Sequence, residues 1–513
     1  MASAPQVTLG LSGASADDVI AVARHEAQIS ISTQVLEELA SVRAHIDALA
    51  SADTPVYGIS TGFGALATRH IAPEDRAKLQ RSLIRSHAAG MGEPVEREVV
   101  RALMFLRAKT LASGRTGVRP VVLETMVALL NAGITPVVRE YGSLGCSGDL
   151  APLSHCALVL MGEGEATDRR GVQRPVPELL AEAGITPVEL AEKEGLALVN
   201  GTDGMLGQLL MALVDLEELA DIADATAAMS VEAQMGTAQV FRPELHEPLR
   251  PHPGQGCSAA NMYAFLAESP IVNSHREGDG RVQDAYSLRC SPQVTGAVRD
   301  TIAHARLVAT RELAAAIDNP VVLPSGEVTS NGNFHGAPVA YVLDFLAIAV
   351  ADLGSIAERR TDRMLDPARS RDLPAFLADD PGVDSGMMIA QYTQAGLVAE
   401  NKRLAVPASV DSIPSSAMQE DHVSLGWHAA RKLRTSVANL RRILAIEMLI
   451  ASRALDLRAP LQPGAATGAV LGLLRTKVAG PGEDRFLSAE LEAAYELLAS
   501  GQVHRVLEEH LPA

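Results

Sequence analysis

Between Gln208 and Met235 the chain runs without a single glycine or proline, and this stretch limits the fold more than any other feature. Leu209, Leu213, Leu216, Ala220, Ala223 and Ala227 step by four and three, with Asp215, Glu217, Asp221 and Asp224 between them. Such spacing predicts one helix with a single apolar stripe, about 40 Å long at 1.5 Å per residue. A second stripe runs through Val298, Ile302, Ala305, Ala309, Leu313 and Ala316 and stops at Asp318-Asn319-Pro320; a third covers Val339 to Met364. The fourth is Leu433, Val437, Leu440, Leu444 and Met448, set among Arg431, Lys432, Arg434, Arg441 and Arg442. Four long stripes must bury one another, so the expected fold class is mainly α with a long-helix bundle as its body. Only 3 % of residues are aromatic, which suits close-packed Ala/Leu helices better than strands.

The first two hundred residues read differently, with frequent Gly and Pro, shorter helices and irregular loops. The expected organisation is therefore an N-terminal, loop-rich but mostly helical region over 1–205 and a long-helix region over 206–513. No segment between them has a linker's composition, so the two should interlock. The hexapeptide Ala-Gly-Ile-Thr-Pro-Val occurs at Ala132 to Val137 and again at Ala183 to Val188 without matching flanks. It reads as one helix stop used twice, with Gly to end the helix and Pro to prevent a restart. The polar stretch Thr167 to Pro177 is expected to be a surface loop.

Lys plus Arg number 44 against 62 Asp plus Glu, a net charge of −18. That balance argues against nucleic acid or an anionic membrane as a partner. Cys146, Cys156, Cys257 and Cys290 show no disulfide framework and no zinc spacing, which points to reduced thiols and a cytoplasmic location. Met1 to Val22 lacks a secretion signal's pattern, and Asp344 and Asp352 interrupt the apolar run Val339 to Leu353 before it reaches membrane-spanning length. No metal-ligand spacing is present.

The most unusual segment is Gly142-Ser143-Leu144-Gly145-Cys146-Ser147-Gly148-Asp149-Leu150-Ala151-Pro152-Leu153-Ser154-His155. Its glycines permit backbone geometries closed to other residues. Asp149, followed by Pro152 and an apolar run, predicts a cap at a helix start, where N–H groups and the helix dipole would converge near Ser147. Taken alone, the loop could instead bind phosphate or merely turn the chain.

This segment closely resembles the signature of the aromatic amino acid ammonia-lyase family, in which an Ala-Ser-Gly tripeptide cyclises to 4-methylidene-imidazole-5-one (MIO). Here Cys146 stands at the Ala position, a mild departure because ring closure uses that residue's main chain. Other segments resemble the family's motifs in order: Tyr57 to Gly64, Asn200-Gly201-Thr202, Gln283 to Gln293, Asn333 to Gly336 and Gln419 to Ser424. The resemblance implies a built-in MIO electrophile from Cys146, Ser147 and Gly148, with no dissociable cofactor. It implies Tyr57 as general base or proton handler, and Tyr286 and Asn200 as residues orienting the ring and the substrate amine. Arg289 would take the substrate carboxylate through its planar two-pronged donor set, while Gln283 and Phe334 would line the pocket. A homotetramer with sites built from several chains is implied in the same way. His155, His335 and His422 read as structural hydrogen-bond partners.

The family acts on histidine, phenylalanine and tyrosine. Members acting on phenylalanine carry apolar residues at the position of His87, and Ser86-His87 resembles the histidine-specific members. Tyrosine-selective members also carry a histidine nearby. Glu420 adds a carboxylate that can meet an imidazole N–H, which a phenyl ring does not offer. The expected reaction is non-oxidative deamination of L-histidine to trans-urocanate and ammonia, the first step of histidine degradation. The alternatives are a tyrosine or phenylalanine ammonia-lyase or aminomutase of the same family, a fumarase-type lyase (Ser415-Ser416-Ala417-Met418 faintly resembles its mobile loop), or a non-enzymatic helical scaffold.

Overall fold

The structure is a computed structural model and describes residues 5–51, 71–145 and 148–512. The expected stripes become four long helices, Asp203–Ala233, Ser291–Leu313, Ala337–Leu365 and Gly426–Asp456, alongside shorter helices and a few short strands. The chain divides into two compact units that are discontinuous in sequence. The first gathers Met1–Met211, Arg306–Asp344 and Pro407–Arg431; the second gathers Ala212–Ala305, Phe345–Val406 and Lys432–Ala513.

In the second unit, one buried polar network shows why the long helices pack as a bundle. Glu447 of Gly426–Asp456 takes Nε and Nη2 of Arg360, from Ala337–Leu365, at 2.5 and 2.9 Å. The same carboxylate accepts the hydroxyls of Thr226 and Ser230, from Asp203–Ala233, at 2.8 and 2.9 Å. Arg360 also reaches Ser291 Oγ, in the first turn of Ser291–Leu313, at 3.2 Å. Arg360 and Glu447 are both fully buried, so each charge is matched in full where an unmatched one would cost several kcal/mol, on the order of 3–5. Around them the stripe residues Val298, Ile302, Leu440 and Leu444 are buried as the spacing predicts.

The helix Ala337–Leu365 covers the expected third stripe, Asp344 and Asp352 included, but the two aspartates do not keep its apolar run below membrane-spanning length as expected. It is long and apolar enough to cross a membrane by length and composition. Much of its apolar surface (Val339, Leu343, Leu346, Ala347 and Val350) is buried inside the protein, and Asp344 accepts the Ser409 N–H at 2.7 Å.

In the first unit both hexapeptides end helices. Pro120–Ala132 closes on Gly133 in the left-handed region (φ 75°), and Val176–Glu182 is followed by Gly184 at φ 66°. The polar stretch after Thr167 is no simple loop: Glu165–Thr167 and Gln173–Pro175 pair antiparallel as a hairpin, with buried Ala166 opposite Arg174. Of more consequence for function, strand Met91–Pro94 pairs with Arg139–Tyr141, Met91 opposite Tyr141. That pairing sets the segment after His87 beside the entry to the Gly142–Gly148 loop.

Candidate active site

The glycine-rich loop needs its glycines. Gly142, Gly145 and Gly148 lie at φ 144°, 68° and 82°, where a side chain is strained. Gly148 forms a parallel bridge with Gly201, and a Cβ there would overlap the Gly201 backbone. Next in the chain, Asp149 N–H donates to Gly201 O at 2.7 Å. The helix Leu150–Leu160 begins after Asp149 as expected, but the Asp149 side chain does not cap it. Instead its Oδ1 accepts the Ser143 hydroxyl at 2.8 Å and its Oδ2 accepts Met205 N–H, in the first turn of Asp203–Ala233, at 2.9 Å. The carboxyl thus serves the start of a different helix. Complete burial pushes its pKa up to about 7, against those hydrogen bonds, which pull it down.

Asn200, at the end of the short helix Glu194–Val199, lies on the turn that meets Gly148. Arg107, fully buried, holds this turn. Its Nη1 donates to the carbonyls of Ala197 and Asn200, each at 2.9 Å, and its Nη2 to Asp203 Oδ2 at 2.5 Å. The Asn200 amide donates to Asn319 O at 2.9 Å. Asn319 Oδ1 in turn accepts Asn331 N–H at 3.1 Å, at the head of the turn that carries Phe334. Behind them the buried pair Lys193–Asp318 closes at 2.5 Å, and Asp318 O accepts the Asn331 side chain at 2.9 Å. Arg107, Asp149, Lys193, Asp318 and Asn331 were not singled out from the sequence as site residues. The one available signal was Asp149's place beside the motif.

Two further segments of the same unit converge on this loop. Gly336 N–H and the Ser424 hydroxyl both donate to Gly145 O, at 3.2 and 2.9 Å, and Leu425 N–H donates to Leu144 O at 2.8 Å. The first segment carries half-buried Phe334; the second carries Glu420, whose Oε2 accepts the Ser415 hydroxyl at 2.9 Å. His87, last residue of the helix Arg76–His87, lies within electrostatic reach of Glu420. Burial holds the His87 imidazole below its usual range, opposed by a hydrogen bond to the Leu83 carbonyl and by the Glu420 charge. His155 accepts Gly90 N–H at 3.1 Å and so fixes the backbone just after His87, the structural part expected of it.

Gln283, Tyr286 and Arg289 belong to the second unit. The guanidinium of Arg289 stacks over the Tyr286 ring at 4.7 Å and donates to Gln283 Oε1 at 2.9 Å. Its Nε–H is buried and has no hydrogen-bond partner among the described residues. Tyr286 is 72 % exposed and neighbouring Val282 is 95 % exposed. Tyr57, Cys146 and Ser147 lie outside the described residues. The flanks of the tripeptide fit a backbone ring: Gly148 has no room for a side chain, and both sides of the loop are pinned through their main chain.

The sequence model of the family described as aromatic amino acid lyase matches residues 14–476. The chain belongs to the aromatic amino acid lyase family. Among aromatic amino acid lyases it is 68 % identical to the histidine ammonia-lyase of Streptomyces avermitilis, over 97 % of each chain. The crystal structure of histidine ammonia-lyase from Trypanosoma cruzi superposes with a TM-score of 0.90 at 39 % identity, covering 99 % of this chain and 96 % of that one. A tyrosine aminomutase from Streptomyces globisporus superposes with a TM-score of 0.93 at 37 % identity, covering 99 % of each. The fold is therefore the helical aromatic amino acid lyase fold, and the chain is an enzyme of that lyase family.

Proposed function

We propose that the enzyme deaminates L-histidine non-oxidatively to trans-urocanate and ammonia. The observation that carries this reading is that His87 lies within electrostatic reach of Glu420, in the unit that holds Gly148. An imidazole offers an N–H for the Glu420 carboxylate to accept, and a phenyl ring offers none. The Ser86 hydroxyl donates to Leu83 O at 3.0 Å and so accepts from His87 Nδ1 at 3.0 Å, which leaves Nε2 as an acceptor. The relatives named histidine ammonia-lyase, at up to 68 % identity, support the same choice.

In this reading MIO, formed from Cys146, Ser147 and Gly148, supplies the electrophile that makes ammonia a better leaving group. Arg289 binds the substrate carboxylate through its guanidinium, which Tyr286 and Gln283 hold in place. Asn200, fixed through its own carbonyl by Arg107 and through its amide by Asn319, orients the amine. Glu420 and His87 hold the imidazole, Phe334 covers it, and Tyr57 with Tyr286 handles the proton taken from the β-carbon. The active form is a cytoplasmic homotetramer in which Gln283, Tyr286 and Arg289 of one copy complete the site of another. The exposure of Tyr286 and of Phe345, Ile348, Ile389 and Tyr392 supports this assembly.

Two measurements test the reading together. Purified enzyme should release urocanate from L-histidine and far less product from L-tyrosine or L-phenylalanine; turnover of tyrosine but not histidine would overturn the substrate. Its intact mass should lie two waters below the sequence mass, and Ser147→Ala should fold, keep its full mass and lose nearly all activity.

A further inference from the structure

His335 and His422 have no part in the chemistry above, yet they stand on the two segments that carry Phe334 and Glu420. Nε2 of His335 and Nδ1 of His422 are 3.2 Å apart, and the rings stack with centroids 5.3 Å apart and planes 29° from parallel. Their tautomers follow from a third group. Ala337 N–H donates to His335 Nδ1 at 3.4 Å, so that nitrogen is an acceptor and the ring proton lies on Nε2. Nε2–H of His335 then donates to Nδ1 of His422, and the bond has one direction.

This bond ties together two segments whose other ends already share an anchor. Gly336 N–H and the Ser424 hydroxyl both land on Gly145 O, immediately before the tripeptide. The turn carrying Phe334 and the loop carrying Glu420 are therefore fastened twice, at the tripeptide's edge and again through the imidazoles. Glu420 is also braced within its loop, where Ser415 and Glu420 exchange backbone hydrogen bonds at 2.9 and 3.3 Å. Holding the loop at these two points fixes the carboxylate relative to Phe334.

We propose that His335 and His422 are a positioning pair that sets Glu420 against Phe334 and thereby the enzyme's selectivity for a substrate ring bearing an N–H. The inference rests on the reading that Glu420 meets the substrate imidazole, and histidine turnover by the wild-type enzyme tests that reading separately.

The test uses the near-isosteres of each imidazole nitrogen. Asn places its Oδ1 where histidine has Nδ1, so His422→Asn keeps the acceptor while His422→Leu removes it. His422→Leu should raise KM for L-histidine about tenfold with a much smaller change in kcat, since small displacements of a positioning group cost up to ~100-fold. His422→Asn should restore KM to within about threefold of wild type by keeping that acceptor. In a Glu420→Gln background, His422→Leu should add little, because its effect passes through the carboxylate. If His422→Leu does not fold, the comparison passes to His335→Gln, which keeps the Nε2 donor, and His335→Leu, which does not. An unchanged KM in the Leu variants overturns the proposal. So does equal impairment of the amide and Leu variants, or full additivity with Glu420→Gln.

Discussion

Asp149 shows how one buried carboxyl can join two stretches of chain. It accepts from Ser143 on one side and from Met205 on the other, while its own N–H holds Gly201. Burial raises its pKa from 3.8 to about 7, so the native state keeps a proton that the unfolded chain gives up near pH 4. Between those values the native state binds more protons than the unfolded one. Stability should therefore fall as pH rises from about 4 to about 7, by up to about 4 kcal/mol, and then level off. Asp149→Asn removes the titration, and urea denaturation of both proteins at pH 5 and pH 8 should show the wild-type slope but none from this site in the variant. The importance of Asp149 could be sensed from its place beside a glycine-rich loop. The direction of its side chain could not, because a helix-start aspartate ordinarily caps its own helix and here a distant N–H competes for it.

The short turn between Glu194–Val199 and Asp203–Ala233 exists because Arg107 satisfies its inward-facing carbonyls. Its guanidinium serves Ala197 O, Asn200 O and the Asp203 carboxylate at once, in a fully buried position. Arg107→Met would leave Asp203 buried without its counter-charge, at a cost of about 3–5 kcal/mol. The expected result is a lower denaturation midpoint, together with a loss of activity because Asn200 is no longer fixed. Unchanged stability would show that the turn does not depend on the guanidinium. Some element-scale features were open to reading from sequence. The repeated Ala-Gly-Ile-Thr-Pro-Val ends a helix each time because glycine tolerates the left-handed turn. The hairpin at Glu165–Thr167 and Gln173–Pro175 was hidden, since strands of three residues are too short to show a hydrophobic alternation.

Across the whole molecule, the residues matched to family motifs divide between the units: Gly148, Asn200, His87, Phe334 and Glu420 in one, Gln283, Tyr286 and Arg289 in the other. If different copies supply the two sets to each site, two inactive proteins can repair one another. Ser147→Ala and Tyr286→Phe, each nearly inactive alone, should regain activity when unfolded together and refolded as mixed oligomers. Recovery no greater than the sum of the separate proteins would place both residues of a site in one chain.

The four long helices were fixed by local sequence, because an apolar stripe at helical spacing must be buried along its whole length. The chemistry of the tripeptide and its companion motifs was likewise a property of residue type and order, legible through resemblance. Tertiary structure decided the rest. The first unit takes in segments 306–344 and 407–431 beside the N-terminal part, which lets Gly145 anchor both Gly336 and Ser424 and lets Asn319 reach Asn200. Those bonds join groups more than a hundred residues apart. Each is made by a main-chain group or a common polar side chain whose partner is chosen by the packing of the helices, so no local pattern announces it.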